Sequence, residues 1–327
     1  MTVNRLRVGA PLSLSGRHAR FGRQAALGLG VWQSFDRSAE LVVADDRSDP
    51  EVLERVLRDL AARCDLLLGP YSTQLMRRAG RVAMELGRVV WNHGGAGDDV
   101  EAARPGHVVS VPTPASRYAE PFLRLLARDG DRSPLWIAHG EGGFGRQVAT
   151  GARLRAKALG LPVTYEAPPG GSWNLLCAGS FEEEVELLGR VRVPGRVCAV
   201  AAGVREFGAA VRDPCGVYGV GQWFPGVEGE AALGVSERDF LTAYRTPPGY
   251  PAVQAAAAAI LATHCAAVSG STGREALWSA AAALETTTLF GAFRIDPSTG
   301  AQVGHRVVLT RWGPDGPAAV DDDTGVA

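Results

Sequence analysis

The chain has 327 residues, 46% of them hydrophobic, and a formal net charge of -1 at pH 7. That length suits two domains of ordinary size, each able to bury its own core, and the near-zero charge leaves no electrostatic footprint for nucleic acid or an anionic membrane. The five cysteines (Cys64, Cys177, Cys198, Cys215 and Cys265) are scattered and odd in number, and the six histidines show no ligand spacing, so neither a disulfide framework nor a metal site is indicated. The basic residues are almost all arginine, Lys157 being the only lysine, which reads as coding bias rather than function.

No stretch reaches the roughly 20 apolar residues that span a bilayer. Met1-Thr2-Val3-Asn4 leads straight into a strand, without the basic, apolar and small-residue pattern of a signal peptide. The expectation is a cytoplasmic protein as the chain stands, or a periplasmic or extracellular one if a leader has been removed.

Short apolar runs then alternate with longer amphipathic stretches. The spacing predicts strands over 6–10, 41–44, 66–68, 89–91, 108–111, 135–138, 163–165, 197–201 and 217–220. They are short, Leu-rich or β-branched, and bounded by Gly, Pro or Asp, as buried parallel strands are. Helices are predicted over 22–35, 51–63, 73–86, 116–129, 146–159, 181–191 and 205–212. Asp49-Pro50-Glu51 marks one start with a cap, a first-turn proline and an acid at the positive end of the dipole. Repeated strand–helix–strand order means an α/β fold with parallel sheets.

These are more strands than one compact sheet carries, and Pro112-Thr113-Pro114 marks a break. The expected first lobe is 1–114 plus about 250–290; the second is 115–249 plus about 291–315; 316–327 is a tail that reads as frayed. After the punctuation Pro247-Pro248-Gly249-Tyr250-Pro251, an Ala-rich helix over 253–269 and another over 274–284 return to the first lobe. Residues 291–295 and 306–311 flank the turn sequence Asp296-Pro297-Ser298-Thr299-Gly300 and read as a terminal hairpin.

One motif suggests an enzyme. Gly140-Glu141-Gly142-Gly143-Phe144-Gly145 matches G-x-G-x-x-G between a strand and a helix, with Glu166 some twenty residues on. That is a dinucleotide fingerprint and implies an NAD(P)-dependent oxidoreductase. Against it, the unit begins only after a complete α/β lobe, and Arg146-Gln147 follow where small residues are usual. No G-x-S-x-G, Walker A or H-E-x-x-H sequence occurs. The acid pairs Asp45-Asp46 and Asp98-Asp99 and the run Asp321–Asp323 read as capping or solvated groups.

Several blocks resemble the leucine/isoleucine/valine-binding protein family, which also contains ABC-transporter solute-binding proteins, cytoplasmic amide sensors and receptor ligand-binding domains. They are Gly9–Gly16 with Phe21-Gly22; Val43–Pro50; Leu67-Leu68-Gly69-Pro70-Tyr71-Ser72-Thr73; Leu86–Ala96; and Phe293–Asp296 with Gly300. Five blocks in register over nearly the whole chain imply a periplasmic binding protein type I fold. That fold has two Rossmann-like lobes with parallel sheets, joined by a three-crossover hinge and closing over a small ligand. The implied function is reversible binding of an amino-acid-like molecule, amide or small carboxylate, without catalysis and without a cofactor. The implied partner is an ABC permease or a cytoplasmic regulator, and relatives pair as homodimers through first-lobe helices. The family also explains the glycine motif as a strand, a loop ending in Phe144-Gly145, and a long helix.

The resemblance implies ligand contacts from Ser15 in the opening loop, the aromatics Phe21 and Tyr71, and Ser72-Thr73, where hydroxyls and free N–H groups at a helix start suit an anion. Asn92, His93, Gly94 and Gly95 follow the next strand, with Ala96 where the family carries a hydroxyl. In the second lobe the resemblance implies contacts from Phe144, Gln222 and Trp223. Gln222 stands where amino-acid binders hold a glutamate, and Ala201-Ala202-Gly203-Val204 where they hold a tyrosine; a neutral amide cannot pair with an ammonium group as a carboxylate does. Both departures argue against an ordinary α-amino acid.

Overall fold

The computed structural model describes residues 5–102 and 104–320. The chain forms two α/β units, one comprising residues up to Thr113 with Glu228–Arg306, the other Pro114–Val227 with the residues from Val307. The chain therefore passes between units three times.

The first unit opens with β1 (Leu6–Leu12), α1 (Ala19–Phe35), β2 (Ala39–Asp45), α2 (Pro50–Arg63), β3 (Leu66–Leu68), α3 (Thr73–Glu85), β4 (Val90–Asn92), the single turn α4 (Asp99–Ala102) and β5 (Val108–Ser110). The strands pair in parallel in the order β2-β1-β3-β4-β5. β3 is three leucines, all buried, as a central strand covered on both faces requires. Asp49 caps α2 by accepting from the Glu51 and Val52 amides, and Pro50 occupies the first turn. Leu53, Leu57 and Leu60 of α2 fall on one helical face and join Leu75, Met76, Ala79 and Val82 of α3 over the sheet.

The second unit runs through a 3₁₀ turn at Ala115–Arg117, α5 (Glu120–Arg128), β6 (Leu135–His139), α6 (Gly143–Ala158), β7 (Val163–Thr164), β8 (Asn174–Ala178), α7 (Phe181–Arg190), β9 (Val197–Ala199), a 3₁₀ turn at Val200–Gly203, the single turn α8 (Phe207–Ala210) and β10 (Tyr218–Gly221). Its parallel strands lie in the order β7-β6-β8-β9-β10, the same winding as the first unit. In both units the strand order reverses between the first strand and the third, β1 against β3 and β6 against β8. Open α/β sheets bind ligands at the carboxyl ends of strands beside that reversal.

The return to the first unit supplies α9 (Glu237–Tyr244), α10 (Tyr250–Ser269), α11 (Arg274–Ala283), β11 (Thr286–Thr288) and β12 (Gly291–Phe293), and the chain finishes in the second with β13 (Val308–Gly313) and β14 (Gly316–Ala319). α10 has the length and apolarity of a membrane span, contrary to the sequence reading, but 78% of its apolar window is buried inside the protein. It is a core helix packed on α1 so closely that a Cβ at Gly28 would come within 2.1 Å of the Ala252 carbonyl oxygen.

Three expectations are corrected. The terminal hairpin does not form: β12 pairs with β11, β13 pairs antiparallel with β10, and only a single bridge, Ile295 to Gln302, joins the flanks of the turn at Asp296–Gly300. The reason is the last crossing, which carries Val308 onward into the other sheet. The tail is ordered as far as β14, which pairs with β13; Asp321–Asp323 lie outside the described residues. Finally, 228–249 and 291–306 belong to the first unit, because β11–β12 and the Ser110 amide, which donates to the Gly300 carbonyl at 3.0 Å, hold them there. Three elements had no counterpart among those expected: β8, whose five residues are all buried, α9 and β11.

Candidate functional site

In the first unit the candidate residues gather on the loops that follow β1, β3 and β4. The loop after β1 is held by acids from the end of β2. Asp45 accepts from the Leu14, Ser15 and Arg47 amides and from the Ser15 hydroxyl at 2.7 Å, while buried Asp46 accepts from the Ser13 hydroxyl at 2.6 Å and the Ser48 amide at 2.8 Å. Ser15 is thus tied to Asp45, and the acid pair is a loop clamp. Burial pushes the Asp46 carboxyl up, whereas the donors around Asp45 hold its carboxyl down against desolvation.

After β3, Ser72 takes φ 92° and ψ 146°, a conformation that favours glycine, and caps α3 by accepting from the Leu75 amide. Its own amide donates to the Gly94 carbonyl at 2.9 Å, and the Thr73 hydroxyl accepts from the Gly97 amide at 3.0 Å. The loops after β3 and β4 are therefore one laced structure. Gly94 serves that lacing: a Cβ there would lie 2.6 Å from the Tyr71 Cα. A Cβ at Gly95 would lie 2.6 Å from the Met76 side chain of α3.

Asn92 is a buried clamp. Its amide donates to the Gly95 carbonyl and the Ser110 hydroxyl and accepts from the Gly94 and Gly95 amides. The Ser110 hydroxyl passes the chain to buried Glu101, whose carboxyl is raised to about 7 mainly by desolvation. His93 is wholly buried; desolvation lowers its pKa to about 4, so the ring is neutral, and neither nitrogen has a well-aligned hydrogen-bond partner.

Phe21 and Tyr71 stack at 4.4 Å between centroids and 15° between planes, and the Arg20 guanidinium lies 4.4 Å from the Phe21 centroid. The Tyr71 hydroxyl meets that of Tyr250 at 2.9 Å. All four side chains are half-buried. Tyr250 was read only as part of a Pro/Gly punctuation; its signal was the aromatic at the first turn of a returning helix.

In the second unit the Tyr118 ring meets Phe144 edge-on at 5.3 Å, and the Gln222 amide donates to the Tyr118 hydroxyl at 2.6 Å. Tyr118 joins two candidates that the sequence treats separately, from the end of a 3₁₀ turn where no pattern marks it. Trp223 is 3% exposed, with its indole N–H meeting no acceptor among the described residues. Beneath the loops after β8 and β9, buried Glu184 accepts from the Gly179 and Ala201 amides at 2.8 Å each, and its carboxyl is raised to about 8 by desolvation.

The glycine motif holds a resident anion. The Glu183 carboxylate accepts from the Glu141 amide at 3.0 Å and the Ser180 amide at 2.7 Å, which keep it ionised below the usual range. Its Oε2 lies 2.1 Å from where a Gly140 Cβ would stand. A pyrophosphate would meet a negative charge already on those donors, and Glu166 is exposed beyond β7. The dinucleotide reading is corrected accordingly.

A family model described as "Periplasmic binding protein" matches residues 6–172. The chain belongs to the periplasmic binding protein family. No curated protein sequence matches it. Among solved structures, this periplasmic binding protein resembles a leucine-binding protein of Thermotoga maritima, with TM-score 0.80 and 14% identity over 97% of this chain and 98% of that one. It also resembles a solute-binding protein of Rhodopseudomonas palustris BisB5 in complex with 3,4-dihydroxybenzoic acid, with TM-score 0.76 and 15% identity over 97% and 95%. A third is an ABC-transporter substrate-binding protein of Desulfitobacterium hafniense in complex with leucine, with TM-score 0.78 and 16% identity over 97% and 100%. At these identities the likeness establishes the type I binding-protein fold.

Proposed function

We propose that this periplasmic binding protein reversibly binds one small organic molecule at the strand ends of its two units and delivers it, or reports it, to a partner. The observation that carries this is the repeated winding, in which both units reverse strand order at the same place and crowd the candidate side chains onto those loops. The family match, which covers the loops after β1, β3, β4 and β6, supports it. Preferential binding of the ligand to one conformation would change the surface a partner meets. The partner that fits is an ABC permease, as the names of similar proteins indicate for those proteins.

Isothermal titration against amino acids, small amides, carboxylates and polyols tests the reading. One ligand per chain is expected, recovered chemically unchanged. At a hundred times Kd it should stabilise the fold by about 2.7 kcal/mol. Failure of every class to bind, or conversion of a bound molecule, would overturn the proposal.

A further inference from the structure

A separate groove lies wholly within the second unit, at the opposite ends of its strands from Gln222 and the loop after β9. α5 sets Phe122 against the Tyr218 ring, at 5.6 Å between centroids, and ends at Arg128. Tyr218 on β10 pairs with Arg311 on β13, and Arg311 with Ala318 on β14, so the three side chains form one row across the sheet. Ala318 is small, and where α5 stops an open groove of about 840 Å³ remains over this row. Its other wall is Arg196, just before β9, and Cys215-Gly216, just before β10. That is far more room than one inorganic ion fills, and the open side suits a length of chain better than an enclosed small molecule.

Three guanidinium groups border the groove, against two carboxylates. Asp129 is shared, by Arg128 at 3.2 Å and by Arg196 at 2.7 Å. Each guanidinium has five N–H donors, so one carboxylate cannot engage both. The Arg311 guanidinium lies 5.5 Å from the Tyr218 centroid and pairs with no carboxylate among the described residues. Asp315 is exposed on the turn between β13 and β14. The chain as a whole has a formal charge of -1, so an acidic segment would be drawn to this groove and not to the molecule at large.

We propose that this groove docks an acidic, extended segment of a partner protein. Arg311, Arg196 and Arg128 take its carboxylates as forked pairs, and its chain lies over Tyr218 and Ala318. A partner seated there leaves the loops after β9 and β10 clear. The test is fluorescence anisotropy of the full chain with a short, end-blocked, labelled peptide of alternating glutamate and alanine. Its counterpart with glutamine for glutamate should bind at least about ten-fold more weakly. Arg311→Met and Arg196→Gln should each weaken the glutamate peptide about ten-fold, with thermal melts confirming that both variants fold. Equal binding of the two peptides, or undiminished affinity in both variants, would overturn the proposal. So would failure of the full chain to bind the glutamate peptide. If a chain ended at Val320 then bound it, the groove would belong to Asp321–Asp323, the next residues in the sequence, and not to a partner. No small ligand enters the experiment, so its failure leaves the binding function standing.

Discussion

Ser72 carries a strained backbone and a helix cap at once, so its two simplest substitutions should move stability in opposite directions. At φ 92° and ψ 146° a residue with a Cβ is strained by about 1–3 kcal/mol. Ser72→Gly relieves that and loses only a few tenths of a kcal/mol of capping, whereas Ser72→Ala keeps the strain and loses about 1 kcal/mol of cap. The glycine variant should therefore melt higher than the parent and the alanine variant lower, by calorimetry without ligand. At this scale the sequence located residues better than it assigned them. Ser72, Thr73, Asn92 and Gly94 were legible as loop positions after strands, because strand and cap patterns are local. Asn92 as a four-bond clamp and Gly94 as the point of approach to Tyr71 were not, since both depend on loops brought together from different parts of the chain.

Among the elements, the crossings concentrate the consequence. Thr113 ends the first passage and His305 stands just before the last, and the two meet in the first unit at 2.7 Å between the Thr113 hydroxyl and His305 Nδ1. The His305 ring also stacks on Phe290 at 4.3 Å, and its Nε2 donates to the Phe290 carbonyl. Gln302 reaches the Val111 carbonyl in the same place. Thr113→Val removes the hydroxyl at constant volume and leaves a buried nitrogen short of a partner, so it should lower stability by about 1–3 kcal/mol in denaturant titration. A change below about 0.3 kcal/mol would show that the contact does not bind the crossing segments together. The two prolines around Thr113 announced a break in the sequence; the tie to His305, 192 residues away, could not be announced by any local pattern.

For the whole molecule, buried or half-buried carboxyls and histidines pull stability in opposite directions with pH. Glu101 and Glu228 are raised to about 7 and Glu184 to about 8, mainly by desolvation. A raised acid favours the folded state at low pH, and that stability is lost as pH rises from the unfolded value through the folded one. His18 and His93 are lowered to about 4, so their contribution is present above 6.5 and lost as pH falls towards 4. The terms oppose each other below 6.5 and only the acids act above it. The melting temperature should therefore fall between pH 6.5 and 8, and Glu184→Gln should flatten that fall while lowering stability at pH 6, because the Gly179 and Ala201 amides donate to different carboxyl oxygens and a carboxamide offers only one. A flat profile in the parent protein would contradict this account.

The sequence by itself determined the α/β class, the alternation that builds two parallel sheets and the loops on which polar and aromatic residues collect. Hydrophobic period, caps and turn residues act over a few positions, and the family blocks follow them in order. Tertiary structure decided the rest. β12 chose β11 over β13 because the last crossing takes β13 to another sheet. A G-x-G-x-x-G loop became a seat for Glu183 because α7 follows β8 beside it, on the far side of β6 from β7. The acids at the strand ends acquired their meaning only when donors distant in the chain engaged them.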